Sequence, residues 1–461
     1  MSRDGAITRA REYFDKGEFF KDLSRRVAYS TECQNEARSP ELRAYLTDEM
    51  VPYLQAMGFD CQVLENPKAE GLPFLTAQRI EDPRLPTILT YGHGDTVRAM
   101  EGKWRAGLTP WQLIQEGDRW YGRGAADNKG QHSINFGALA AVQGERGRLG
   151  FNVKVLIEMG EEMGSPGLHA ICEKEKERLK ADVLIASDGP RLTPHQPTVF
   201  GGSRGILNFD LCVELRDGGH HSGNWGGLLA NPGILLAHAI ASLVDQRGKI
   251  LVPGLKPEGI PDSVRHSLAE IQVTGEGGPQ IDPDWGESGL SLSEKVYGWS
   301  TLEILAFVCG DPNAPAHAIP PKAWARCHMR FVAGQDPSHF LPSVHQHLNK
   351  HGFKEVMVIP VRESWTNATR LNPDHPMVQM ALSSIERTTG KKTAFLPNLG
   401  GTLPNDAFTD ILGMPTVWIP HSYGGCSQHA PDEHLLAPVA REGLELMAGL
   451  FWDLGEKGLP I

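Results

Sequence analysis

The chain has 461 residues, 40% of them hydrophobic and 22% charged, and a formal net charge of −11. This length exceeds what one compact core usually holds, so two domains are expected. The acidic balance excludes the basic face that a nucleic-acid partner requires, and its plainest meaning is solubility.

The opening residues, Met1 to Gly17, contain no apolar stretch of the signal-peptide kind. No uncharged apolar run is long enough to span a bilayer, so no membrane partner is expected. Ser39-Pro40-Glu41 reads as a helix start, with Ser39 as N-cap and Pro40 at the first helical position. Leu42, Leu46, Met50, Leu54 and Met57 follow at helical spacing, Pro52 predicts a kink, and Gly58 a stop. Strands are expected over Phe59 to Leu64 and Pro73 to Gln78. Thr87 to Tyr91 forms another, running straight into Gly92-His93-Gly94-Asp95. Phe151 to Ile157 is a buried strand that ends at Glu158-Met159-Gly160-Glu161-Glu162. Asp182 to Ser187 ends at Asp188-Gly189-Pro190, and Thr416 to Ile419 is a further strand. Helical segments fall between them, so the fold class is α/β with a mostly parallel sheet. Polar residues repeatedly follow strand C-termini, the edge where open α/β sheets bind ligands.

Near Gly201 the pattern changes. Leu207, Phe209, Leu211, Val213 and Leu215 alternate with polar neighbours, as do Ala325, Cys327, Met329 and Phe331 with Arg326, His328 and Arg330. Half-buried antiparallel strands read this way. Asn231-Pro232 opens a helix, and Gly254 to Ser300, rich in Gly, Pro and charge, is expected to loop out. The α/β pattern resumes near Asn367. The predicted organisation is a catalytic domain over residues 1–200 and 367–461, with an α+β domain inserted at 201–366.

The seven cysteines, Cys33, Cys61, Cys172, Cys212, Cys309, Cys327 and Cys426, are dispersed, odd in number and lack a CxxC pair. They fit a reducing compartment, hence a cytoplasmic protein, and make neither a disulfide framework nor a zinc–thiolate site. Divalent ions of hard or borderline character take carboxylate oxygens and imidazole nitrogens. The strand ends and Gly-rich turns supply both, in His93, Asp95, Asp127, Glu161, Glu162, Asp188 and His429. Each alone is more often a cap or turn residue. The adjacent Glu161 and Glu162 repel at a buried position unless a cation or proton compensates; by themselves they equally fit a solvated turn.

As an ordered set these residues resemble the M20 metallopeptidases, a group that includes carnosinase-like dipeptidases and acetylornithine deacetylase-like amidohydrolases. The matching elements are His93-Gly94-Asp95, Gly122-Arg123-Gly124 through Asp127 to Gly130, Glu161-Glu162 with Gly164-Ser165, Asp188, and His429 to Glu433. The first thirty residues or so, and Gly254 to Ser300, lie outside the resemblance.

The resemblance implies two divalent metal ions, zinc foremost, with manganese or cobalt as alternatives. His93 and Asp188 would bind one ion, Glu162 and His429 the other, and Asp127 both. Asp95 would orient His93. Glu161 would be the general base that takes a proton from a metal-bridged water and delivers it to the leaving amine. A cis peptide between Asp127 and Asn128 is implied too. Gly219-His220-His221-Ser222-Gly223 resembles the family's lid motif, and its register selects His221 to stabilise the oxyanion in a neighbouring subunit's site; without the resemblance, a surface-exposed turn is the plainer reading. The inserted domain becomes a lid and dimerisation domain, and the protein a homodimer. Arg330 stands where family members place the arginine that binds the substrate carboxylate, although a solvated strand face fits it as well. Gly400-Gly401-Thr402 resembles a substrate-contacting loop. Asp at position 188 tends to accompany dipeptidase activity in the family, and Glu deacylase activity. The expected function is hydrolysis of the amide bond of a dipeptide or similar small peptide. The alternative is the same chemistry on an N-acyl or N-carbamoyl amino acid. A non-catalytic binding protein on this fold is disfavoured, because every expected position is filled.

Overall fold

The computed structural model describes residues 1–273, 279–361 and 365–460. Its main sheet has eight strands, in the spatial order Asp60–Leu64, Phe74–Arg79, Asn152–Glu158, Thr87–His93, Val183–Ala186, Thr416–Trp418, Thr198–Phe200 and Ala394–Leu396. The strands at its centre run parallel. They are buried on both faces, which is why they read as continuous apolar runs. Alternation still divides their side chains. Ile88, Val153, Val155, Val183 and Val417 enter one core, beneath the helices Lys129–Arg146, Pro376–Thr389 and Ala437–Lys457. Leu89, Tyr91, Leu156, Leu184 and Trp418 enter a second core on the opposite face.

A separate four-stranded antiparallel sheet runs Thr301–Cys309, Lys322–Phe331, Gly205–Glu214, Met357–Pro360. Leu207, Phe209, Leu211 and Val213 pack with Ala325, Cys327, Met329 and Phe331 under the helices Pro232–Leu243 and Phe340–Lys350. Asn231 caps the first of these helices, accepting from the Gly233 and Ile234 amides. The opposite face, with Asn208, His328 and Arg330, is polar and half-buried.

Several local expectations need correction. The helix expected to begin with a Ser39 cap has Ser39 inside it and Arg38 at the cap, because a short 3₁₀ turn, Glu36–Arg38, capped by Asn35, precedes it. Where Pro52 predicts a kink, the helix widens into a π-helical segment, Tyr45–Met50, that ends two residues before Pro52, whose missing N–H suits the wider turn. Gly254 to Ser300 is more than a loop. It carries the helices Asp262–Ala269 and Leu292–Tyr297, and Ile260, Val264, Leu268 and Ile271 pack into the second core of the main sheet; residues 274–278 of that stretch lie outside the described residues. The three-residue strands Thr198–Phe200 and Ala394–Leu396 are too short to produce a period, and Thr301–Cys309 has a register shift between Ile304 and Ala306 that breaks its alternation.

Candidate metal centre

Residues far apart in sequence meet at the C-terminal edge of the parallel strands. His93 ends Thr87–His93, Glu161 and Glu162 begin the 3₁₀ turn after Asn152–Glu158, and Asp188 follows Val183–Ala186. Asp127 precedes the long helix Lys129–Arg146, joined to Asn128 by a cis peptide. His429 lies in a turn with φ of 60°, a left-handed conformation that non-glycine residues adopt mainly where the surroundings impose it. The glycines beside His93 are steric requirements. A Cβ at Gly92 would stand 2.6 Å from the His132 Cβ, and one at Gly94 would overlap the Tyr45 ring.

Asp127 sits between two imidazoles. Its Oδ1 is 3.1 Å from His93 Nε2 and its Oδ2 is 3.1 Å from His429 Nε2. Asp188 Oδ2 lies 3.6 Å from His93 Nε2, Glu162 Oε2 lies 3.0 Å from His429 Nε2, and Glu161 Oε2 lies 4.0 Å from His93 Nε2. Three overlapping groups of ligand atoms result: His93, Asp127 and Asp188; Asp127, Glu162 and His429; and His93, Glu161 and Glu162. Burial, reinforced by the Asp127 charge, pushes Asp188 up to about 6 and Glu162 up to about 7. Burial likewise raises Glu161 well above the usual carboxylate range. Hydrogen bonds to Asp127 and Glu162 raise His429 to about 11. Burial opposes a charge on His93, yet its bonds to Asp127 and Asp95 raise it well above the ordinary imidazole value. Four carboxylates and two imidazoles so crowded must retain protons or take up cations. The set of oxygens and nitrogens, with one carboxylate reaching both histidines, fits a pair of divalent ions.

Asp95 contributes in two ways. Its backbone oxygen is 3.1 Å from His93 Nδ1 and its carboxylate 3.4 Å, an arrangement that leaves Nε2 facing Asp127. The same carboxylate accepts from the amides of Glu161 at 3.2 Å and Glu162 at 3.1 Å, so it also aims the acidic pair. Further positioning residues were not evident in the sequence. Glu433 is buried and accepts from the amides of Gly124, Ala126 and Asp127 and from Arg123 Nη1 at 2.7 Å. Asn128, which as a sequence position decides nothing, donates to the Ser187 carbonyl, and its Oδ1 lies 3.0 Å from His132 Nδ1. Tyr45 completes that chain, its hydroxyl 2.7 Å from His132 Nε2. Glu433 stands at the end of the His429 to Glu433 string, but an acid after Pro-Asp carries no local sign of its distant partners.

The predicted substrate residues divide. Arg330 and Thr402 share with Glu161 a cavity of about 240 Å³, which Asn208 and Trp365 also line. Arg330 is half-buried, and its Nη1 donates to Thr402 Oγ1 at 2.7 Å. Gly401 flanks this cavity and accepts at its carbonyl from the Arg204 amide. His221 stands apart. It is exposed on a two-residue ribbon paired with Ala318, and among the described residues no hydrogen bond or ion pair ties it to the cluster.

The fold and the centre define a metal-dependent hydrolase of the α/β class. The model of peptidase family M20/M25/M40 matches residues 89–453. The chain belongs to that family, and it is a peptidase, hydrolysing peptide amide bonds. It is 28% identical over 409 residues to human Beta-Ala-His dipeptidase, covering 83% of this chain and 78% of that protein. It is 27% identical to a Cys-Gly metallodipeptidase of Candida albicans, over 96% of this chain and 95% of that one. The structure of a dipeptidase from Saccharomyces cerevisiae shares the fold, with a TM-score of 0.80 at 21% identity, covering 99% of this chain and all of that one. Among the described residues no helix is long and apolar enough to cross a membrane.

Proposed function

We propose that the protein is a cytoplasmic, dinuclear metallodipeptidase that hydrolyses the amide bond of a dipeptide or similar small peptide. The observation that carries this reading is Asp127, held 3.1 Å from both His93 and His429, with Glu161 beside them. His93 and Asp188 would hold one ion and Glu162 and His429 the other, with Asp127 available to both. Zinc suits this donor set best, with manganese and cobalt as substitutes. When bound, the ions polarise the scissile carbonyl and acidify the attacking water. Glu161 takes the water's proton on its carboxylate and passes it to the leaving amine. Asp95 keeps His93 Nε2 and the Glu161 backbone in position. Arg330 and Thr402 meet the substrate carboxylate in the cavity they share with Glu161, beside Gly401.

His221 acts from a second copy of the chain, donating to the oxyanion, and residues 201–366 form the lid through which two copies pair. Exposed apolar side chains on this lid support the pairing: Leu228 is 76% exposed, Leu305 61% and Ile234 59%. The test is amine release by the metal-loaded protein across dipeptides and N-acyl amino acids, followed by mass spectrometry. Turnover of free dipeptides, lost on chelation, is the expected result. Turnover of blocked amino acids alone would replace this reading with an amidohydrolase.

A further inference from the structure

Arg204 and Arg330 come from adjoining strand ends of the lid sheet. Arg204 immediately precedes Gly205–Glu214, and Arg330 pairs with Ile206 across the ladder. Arg204 is only 8% exposed. Its Nε donates to the Gly400 carbonyl at 2.7 Å, but its Nη1 is buried without a hydrogen-bond partner. Neither guanidinium has an ion-pair partner among the described residues. Burial, and then the like charge of Arg330, push Arg204 down to about 10. Two neighbouring cations, one buried and one half-buried, without an ion-pair partner are unfavourable; the charge of Glu303 offsets this only in part for Arg204, and an anion between the two guanidinium groups would remove the rest.

Both arginines line a second cavity, of about 630 Å³, and because Arg330 also lines the cleft with Glu161, the two spaces adjoin at that residue. Trp285 and Trp299 wall the larger cavity, whose volume has room for a side chain and its methylenes. Of its acids, Glu287 is engaged with Lys249 at 2.7 Å, Asp282 has no ion pair to either arginine, and Glu303 makes no ion pair but its charge acts on Arg204. We propose that Arg204 binds a second carboxylate of the substrate, carried on the side chain of an acidic leaving residue, and that the tryptophan-walled cavity houses that side chain. The protein is thereby a dipeptidase selective for glutamate, or a longer acidic residue, at the leaving position. This rests on the dipeptidase reading above, with Arg330 meeting the α-carboxylate.

The experiment compares kcat/KM for Ala-Glu, Ala-Gln and Ala-Gly in the wild-type protein, Arg204→Gln and Arg204→Lys. A charge-assisted bond to a buried guanidinium predicts an Ala-Glu to Ala-Gln ratio of about ten or more in the wild type, carried mainly by KM. In Arg204→Gln the ratio falls to about one, and Arg204→Lys keeps part of it. A purely structural role for Arg204, holding the Gly400 loop, would weaken both substrates alike and leave the ratio unchanged. Should Arg204→Gln not fold, product inhibition of the wild type decides: free glutamate inhibits at a concentration about ten times lower than glutamine does. A ratio near one in the wild type, a ratio that survives Arg204→Gln, or equal inhibition by the two products overturns the inference. Cleavage of Ala-Gly without an acidic preference overturns this inference alone, whereas no cleavage of any dipeptide overturns the dipeptidase reading and this inference with it.

Discussion

Two glycine-flanked histidine turns behave in opposite ways. In Gly92-His93-Gly94 the glycines are forced by His132 and Tyr45, the imidazole is buried, and both ring nitrogens are committed, one to Asp95 and one to Asp127. In Gly219-His220-His221-Ser222-Gly223 a Cβ at Gly219 would meet only the edge of the Ala318 ribbon, at 3.4 Å, one at Gly223 would meet the movable His221 ring itself at 2.9 Å, and His221 is exposed. The first turn is a finished half of a site within one chain. The second presents an exposed side chain that, among the described residues, no hydrogen bond or ion pair ties to the cluster. The same local grammar therefore means different things according to what the tertiary structure brings to it: one turn is tied into the cluster and the other is not, and the proposed role of His221 in a second copy rests on that difference.

The largest effect that tests this contrast is removal of the metal. Chelation is expected to abolish turnover and to lower Tm, because the crowded acids around His93 lose their counter-charge. Added zinc, manganese or cobalt restores both. Thermal melts and activity on a dipeptide, with and without chelator, measure this, and full activity after verified metal removal would refute the assignment of the cluster. Next is Glu161→Gln, expected to bind both ions while turnover falls about 10²–10⁴-fold, the span of general acid–base catalysis. Metal content by mass spectrometry beside kcat decides it. Near-normal kcat would mean that another group carries the proton.

His221→Ala is expected to lower kcat about 10²-fold or more, as loss of an oxyanion donor does, with metal content and melting temperature unchanged. Mixing this variant with Glu161→Gln sharpens the comparison. If His221 serves a second copy, mixed dimers regain activity that neither variant has alone. Failure to complement, with mixed dimers demonstrated, would confine His221 to its own chain or to no role.

The parallel strands were legible because burial on both faces writes itself as runs such as Thr87 to Tyr91, and the residues just past them could be listed as ligands because open α/β sheets concentrate chemistry there. The alternation in Leu207 to Leu215 likewise marked the four-stranded antiparallel sheet. What stayed hidden depends on long-range contact. The helices Arg3–Asp15 and Glu18–Val27 bury Ala6, Ala10, Phe19 and Leu23 in the first core, yet nothing in their sequence connects them to the site. Asp262–Ala269 was lost because Gly and Pro around it outweighed its short apolar period. Arg204 and Glu433 hold functional loops through bonds that span 196 and more than 300 residues, and no window along the chain can register them.

Glu433→Gln is the mildest test, and it isolates what the finished turn depends on. The Glu433 carboxylate holds the amides of Gly124, Ala126 and Asp127 and neutralises buried Arg123. Gln keeps one acceptor oxygen but turns the other towards Arg123 and Gly124 as an NH₂, so Asp127 loses part of its support without losing its own carboxylate. Outer partners of metal ligands are typically worth about 10–100-fold in metal affinity, and that loss is expected here. Competition with a metal indicator reads the affinity, and kcat at saturating metal reads the chemistry. If positioning is the whole effect, excess metal restores kcat. If kcat stays low with both ions bound, Glu433 shapes the reactive geometry beyond the ions, and the pre-organisation of the His93 side of the site extends to the loop after Pro431. An unchanged affinity would mean that the helix Lys129–Arg146 and the Asn128 contact to Ser187 suffice to hold Asp127 between the two histidines.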